Sequence, residues 1–304
     1  MSISKKEIII LAILSVLYLS WFYFAVELRW EHPVILIALL TAYLYGGKMR
    51  KAIIGFSPFV FYLSAYDSLR AFPNYMYNTL HIEDLYLMEK NLFGVNFQNQ
   101  LMTLNEYFFH HQNSLFDAIS GVCYLTWVPV PFAFAIYLFV SGKKKVFINF
   151  SLLFVLANLL GFIGYFIYPA APPWYVEMHG FEFKPDTLSE ATRLSNFDRL
   201  IGVPIFEGIY NKNANVFAAV PSIHAANPLT VFLASLQLKN RPLQILFFLI
   251  TAGMWFGAVY GNHHYVFDVL CGAFVVLLAY VIVYFLLRKT SLNRYLMKFE
   301  KAIS

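Results

Sequence analysis

Near the C-terminus, Gly261-Asn262-His263-His264-Tyr265-Val266-Phe267-Asp268 stands at the mouth of the last long apolar run of the chain. An ionisable group inside a membrane helix costs roughly 2.5 to 3.5 kcal/mol on insertion scales, so residues kept there are candidates for function. If the run is helical, Asp268 falls four residues after His264 and on the same face, where its carboxylate can hold an imidazole N–H. His263 is five residues away and points elsewhere, either as a donor behind the reacting groups or as an interfacial residue. A further histidine stands in Val220-Pro221-Ser222-Ile223-His224-Ala225. There Pro221 suits the first turn of a helix, whose unpaired backbone N–H groups attract anions.

Two histidines, one of them backed by an aspartate, are the parts needed for double displacement at phosphorus. His264 would be the nucleophile and Asp268 would fix its tautomer. His224 would protonate the leaving alcohol and then take the proton of the incoming one. Helix N-termini and a cation would stabilise the phosphoryl oxygens. Arg70, Lys184, Arg193 and Arg199 are the cationic candidates. Each reads equally as an interface anchor or as an ion-pair partner.

These groups must be positioned by membrane helices. Of 304 residues, 60% are hydrophobic and 13% charged, against about 25% charged in soluble domains. The net charge of +5 falls mainly in short clusters between apolar runs, which marks orientation in a bilayer and not nucleic-acid binding. Runs that fit the roughly 20 residues of a span lie near 8–26, 33–47, 52–69, 117–140, 146–168, 219–237, 243–260 and 265–287. About eight transmembrane helices are therefore expected. The first has no small-residue cleavage site after it and reads as a retained span. Basic clusters at Lys5–Lys6, Lys48–Lys51, Lys143–Lys145, Lys239–Arg241 and Arg288–Lys298 occupy every second connection. Both termini should then be cytoplasmic, with 27–32, 70–116, 169–218 and 261–264 outside.

Residues 78–109 mix Leu80, Ile82, Leu85, Met88 and Leu92 with Glu83, Asp84 and Glu89, which suits a segment lying on the membrane surface or an ordinary amphipathic connector. Tyr168-Pro169-Ala170-Ala171-Pro172-Pro173-Trp174-Tyr175 ends the fifth run in a stiff turn with interfacial aromatics. Cys123 and Cys271 lie in apolar segments without metal spacing and read as packing residues.

Pro221-Ser222-Ile223-His224, followed about forty residues later by His264 through Asp268, resembles the type 2 phosphatidic acid phosphatase superfamily. The usual pattern of that superfamily has glycine where this chain has Ile223, and Ser-Arg where it has Gly257 and Ala258. The usual upstream Lys and Arg-Pro motif is not recognisable. Together with the Pro169–Tyr175 turn, the set is similar to the inositol phosphorylceramide synthase branch, over roughly residues 60–285.

The resemblance implies an all-α, polytopic membrane helix bundle with a six-helix phosphatase-like core. Residues 1–51 would form two N-terminal transmembrane helices, 52–288 the core and 289–304 a cytoplasmic tail. It implies transfer of phosphoinositol from phosphatidylinositol to the primary hydroxyl of a ceramide, with release of diacylglycerol, through a phosphohistidine and without metal or other cofactor. His264, His224 and Asp268 would be catalytic, and Ser222, Arg70, Arg193, Arg199, Tyr265 and Trp174 would contact substrate or phosphate. The same machinery with water as acceptor would be a phosphatase of phosphatidic acid, polyprenyl or glycerol phosphate lipids. His110-His111 and His263-His264 suggest a histidine-box metalloenzyme, but no His-x-x-His-His spacing exists. A transporter would be expected to show repeated halves, and none is visible. Short connections favour a bacterial inner membrane.

Overall fold

The computed structural model describes residues 3–210 and 215–304, so 211–214 of the expected outer connection lie outside the described residues. The described chain is helical apart from short turns and one small antiparallel hairpin, β1 (Val95–Phe97) with β2 (Gln100–Met102). The N-terminal helices are α1 (Lys5–Trp21), α2 (Glu31–Tyr45) and α3 (Gly47–Ser68). Outer-loop helices α4 (Glu83–Phe93) and α5 (Leu104–His110) flank the hairpin. Then come α6 (Ser114–Tyr124), α7 (Pro129–Val140) and α8 (Lys144–Ile167). Short helices α9 (Pro173–His179), α10 (Leu194–Ile201) and α11 (Ile205–Tyr210) fold the second outer loop. The chain closes with α12 (Ile223–Ser235), α13 (Arg241–Tyr260), α14 (Val266–Val281) and α15 (Asn293–Ile303).

Helices α8 and α12 form the centre, because both are apolar nearly all round and a helix of that kind must be covered on most sides. Phe147, Phe150, Phe154 and Phe162 of α8 are buried against α3, α7 and α12. Small residues permit the closest approaches. A Cβ on Gly161 would meet Ile223 Cδ1 at 2.2 Å, and one on Gly272 would meet the Ser222 carbonyl oxygen at 2.3 Å. The isoleucine in place of the family's motif glycine is therefore matched by a glycine on α8.

The protein is an integral membrane protein, but the expected count of eight spans is not reproduced by length and composition. Five helical segments qualify, Lys5–Val26, Gly47–Ala71, Lys144–Ile167, Arg241–Tyr260 and Val266–Phe285. A sixth appears if α6 and α7, bent by 47°, count as one span. The bend falls at residues 125–128, just ahead of Pro129, which opens α7 and has no N–H to continue the ladder of α6. The remaining two runs form helices of 15 and 13 residues, α2 and α12. At 1.5 Å per residue these reach only about 20 Å.

The 78–109 segment is not one surface helix. It breaks into α4, the hairpin and α5, and α4 turns Leu85 and Glu89 inward. The expected tail carries α15, which packs on α3 and α8 and buries Ile303.

Candidate active site

His224, in the first turn of α12, and His264, just before α14, meet with Nδ1 and Nε2 3.2 Å apart. His264 Nδ1 lies 3.4 Å from the carboxylate of Asp268, one helical turn further along α14. If His264 donates its Nδ1–H to Asp268, its Nε2 carries the lone pair and accepts from His224. Burial pushes the His264 imidazole down to about 4, so the ring is neutral at ordinary pH. A phosphoryl group cannot fit between nitrogens at this separation, so substrate entry has to part the two rings.

Aspartate 268 does three jobs. One carboxylate oxygen faces His264 and also accepts the Tyr265 N–H at 2.9 Å. Its backbone carbonyl accepts the Ser222 N–H at 2.9 Å. The two motifs are thus joined by main chain, at the point where Gly272 lets α14 approach Ser222.

The expectation that both helix N-termini face the phosphate is corrected at α14. Its first N–H groups are occupied: Glu89 of α4 accepts from Val266 at 2.9 Å and from Phe267 at 3.0 Å, one bond per carboxylate oxygen. Glu89 is fully buried, and burial pushes its carboxyl up to about 7 against the opposing pull of those two bonds. At α12 the buried Ser222 hydroxyl accepts the Ala225 N–H at 3.2 Å. It serves as a helix cap, and the Tyr165 hydroxyl meets the Ile223 amide, which leaves the His224 amide as the first-turn donor.

The residues 261–264 are clamped from behind. Asn105 of α5 donates to the carbonyls of Val259 (2.9 Å) and His264 (3.0 Å). Arg193 donates to the carbonyls of Asn105 (2.8 Å) and Tyr260 (3.3 Å) and pairs with Glu177 at 3.0 Å. Glu177 also accepts from Asn262 at 2.6 Å. His263 turns away from the pair, with Nε2 3.2 Å from the Ala191 carbonyl and its ring stacked 4.4 Å from Tyr210. It belongs to the clamp.

Among the cationic candidates, Arg193 is committed to this clamp, Arg199 bonds Asn196 at the surface, and Lys184 pairs with Glu182. Arg70 is different. It shares a cavity of about 540 Å³ with His224, walled by Tyr124, Trp127, Tyr165 and Tyr210. No acidic side chain lines it among the described residues. Trp127, in the α6–α7 break, and Tyr124 hold the His224 ring at 4.7 and 4.8 Å between centroids. Trp174 is buried with Tyr175 and Phe217, and its backbone N–H donates to Asn262 at 3.1 Å, so it props the His264 loop. Tyr265 is buried, and its hydroxyl has no partner among the described residues. His111 bonds the Tyr107 carbonyl at 2.8 Å, and no three His, Cys, Asp or Glu side chains converge as a metal-binding group among the described residues.

Glu89, Asn105, Glu177, Tyr124 and Trp127 were not visible as site residues in the sequence. The one local signal was an acidic residue placed on the apolar side of an amphipathic helix, at Glu89.

The family described as the PAP2 superfamily matches residues 83–282. Over 279 residues the chain is 40% identical to the phosphoinositol dihydroceramide synthase of Bacteroides thetaiotaomicron, covering 91% of this chain and 92% of that protein. It is 26% identical over 218 residues to the inositol phosphorylceramide synthase of Candida albicans, covering 71% of this chain and 45% of that one. To the inositol phosphorylceramide synthase catalytic subunit AUR1 of Saccharomyces cerevisiae it is 28% identical over 229 residues, covering 74% and 54%. The chain thus spans about half the length of these fungal relatives. No solved structure matches.

Proposed function

Because the chain belongs to the PAP2 superfamily, we propose that it is a membrane lipid phosphotransferase moving phosphoinositol from phosphatidylinositol to ceramide or dihydroceramide, with release of diacylglycerol. The observation that carries the reading is the row Asp268–His264–His224 ending on an apolar cavity that holds one arginine, Arg70, among its described lining. Names of relatives supply the substrates; the geometry supplies the steps.

His264 Nε2 attacks phosphorus, and the bond from phosphorus to the diacylglycerol oxygen breaks. His224 gives that oxygen a proton, leaving phosphoinositol on His264. The primary hydroxyl of ceramide then attacks the same phosphorus, His224 takes its proton, and the bond to His264 breaks. Asp268 holds the Nδ1 proton and stabilises the positive ring of the intermediate. Arg70 and the His224 amide would meet phosphoryl oxygens. Tyr265, Trp174 and the clamp keep His264 in position.

The alternation of basic clusters supports cytoplasmic termini and a site opening on the outer face of the membrane. Short connections favour a bacterial inner membrane, and the family match beginning at residue 83 is consistent with α1 and α2 as an addition before the core.

The test is incubation of purified protein with head-group-labelled phosphatidylinositol and ceramide, followed by lipid analysis. A labelled phosphoinositol ceramide together with diacylglycerol is expected. Inositol phosphate as the sole labelled product, whether or not ceramide is present, would make the protein a phosphatase and refute the transfer reading.

A further inference from the structure

The stretch matched by the family begins at residue 83, yet the cavity beside His224 is walled partly by Tyr66, Leu69 and Arg70 at the end of α3. Those residues are tied to the connection between α1 and α2. Arg29 Nη2 lies 2.8 and 2.7 Å from the two carboxylate oxygens of Asp67. His32 Nε2 lies 3.1 Å from one of them, and Arg70 Nη2 lies 3.0 Å from the other. The Arg29 backbone N–H donates to His32 Nδ1 at 3.0 Å, so His32 carries its proton on Nε2 and donates to Asp67 as a neutral ring. The ring is stacked on Phe22 at 3.8 Å, and the Trp21 indole N–H donates to Ser68 at 2.8 Å.

The charge count matters more than the bonds. One carboxylate stands against two guanidiniums, so the group carries a net charge of about +1 with His32 neutral. A lone Asp67–Arg70 pair would be neutral, and Arg70 would offer a phosphate little. Arg29 bonds both oxygens of Asp67 and is 29% exposed, whereas Arg70 bonds one of them, is 36% exposed and reaches the cavity.

We infer that the outer ends of α1 to α3 form a binding subsite for the anionic phosphodiester head group of a glycerophospholipid. Arg70 is its contact residue, and Arg29 is a positioning residue that neutralises Asp67 and keeps the charge of Arg70 available. The inference rests on the proposed function for the identity of the anionic lipid. It assigns to the α1–α2 pair, outside the matched stretch, a part in substrate binding.

Binding is measured apart from chemistry, with full-length His264→Ala protein and phosphatidylcholine vesicles containing phosphatidylinositol. Arg29→Gln should weaken binding roughly five- to tenfold, as loss of one partly exposed charge implies. Arg70→Gln should weaken it at least as much. Asp67→Asn added to Arg29→Gln restores the net charge and should bring affinity back to within about twofold, while Arg29→Lys should bind nearly normally. A merely structural Arg29 predicts the reverse for the double variant, which has lost both halves of the ion pair. The subsite is overturned if Arg29→Gln binds normally, or if the double variant binds no better than Arg29→Gln. Charge-dependent binding by a chain that only hydrolyses the lipid would refute the transfer reading and leave the subsite standing.

Discussion

Replacing Glu89 with glutamine should remove the acid limb of the pH–activity profile. Its carboxyl bonds the Val266 and Phe267 amides with one oxygen each, next to the Tyr265 amide bonded by Asp268. Burial raises it from 4.5 to about 7, and nearby Asp268 adds to the rise. That displacement corresponds to roughly 3 kcal/mol between the two protonation states. For stability the sign is that of a raised carboxyl. The contribution is full below about pH 4.5, is lost as pH climbs towards 7 and is gone above it, because the unfolded chain ionises first. For turnover the sign is opposite. The ionised carboxylate accepts both amides strongly, whereas the protonated acid is a poor acceptor at its O–H oxygen, so the turn that carries His264 is best held above about pH 7. His264, pushed down to about 4, cannot supply a limb near neutrality. The wild-type transfer rate should therefore rise through about pH 7 while thermal stability in detergent falls over the range just below it. Glu89→Gln should show neither slope, with kcat reduced roughly tenfold by a half-made cap. A limb near pH 7 that persists in Glu89→Gln would refute the assignment and return it to the histidines.

His264→Ala should abolish covalent labelling by a phosphatidylinositol donor, whereas Asp268→Asn should still label slowly, with kcat lower by about 10² to 10⁴ through loss of the ring's orientation; equal residual rates would remove the assigned roles. Arg193→Ala should act on folding, costing about 1 to 3 kcal/mol by taking the guanidinium from the Asn105 and Tyr260 carbonyls, while Arg70→Ala should raise KM for the donor with little change in melting temperature. Gly272→Ala places a Cβ 2.3 Å from the Ser222 carbonyl oxygen, so α14 must shift at a cost of about 1 to 3 kcal/mol. Lower thermal stability and lower kcat should appear together, and an unchanged melting temperature would show that the contact yields freely.

What was legible in the sequence was local. The four-residue step from His264 to Asp268 needs only a helix, and the apolar runs need only a bilayer. His224 was placed on the same side by counting basic clusters. The clamp was not legible, because its partners are remote in sequence: Asn105 holds Val259 and His264, and Glu177 holds Asn262. Nor could periodicity show that the amides opening α14 were already bonded by Glu89, since that depends on how α4 folds back. Among the arginines, sequence offered Arg70, Arg193 and Arg199 as equals. They are separated by their surroundings, since Arg193 is enclosed by carbonyls and Glu177 while Arg70, paired with Asp67, also reaches the cavity.

The absent Ser-Arg of the family pattern has a physical counterpart in how α13 packs. A Cβ on Gly257 would already stand 3.1 Å from the Ser120 hydroxyl, and Ala258 is wholly buried. The Ala258 carbonyl accepts the amides of both His263 and His264, at 3.1 and 3.0 Å. An arginine at either position would have to displace α6 or the turn that carries His264. In the proposed mechanism the cation that meets the phosphate enters from another side of the cavity, where α3 places Arg70. Putting an arginine back is a strict test of this exchange. Ala258→Arg should fail to rescue Arg70→Ala and should lower kcat further by disturbing His264, whereas rescue would show that α13 still has room for the family's own arrangement.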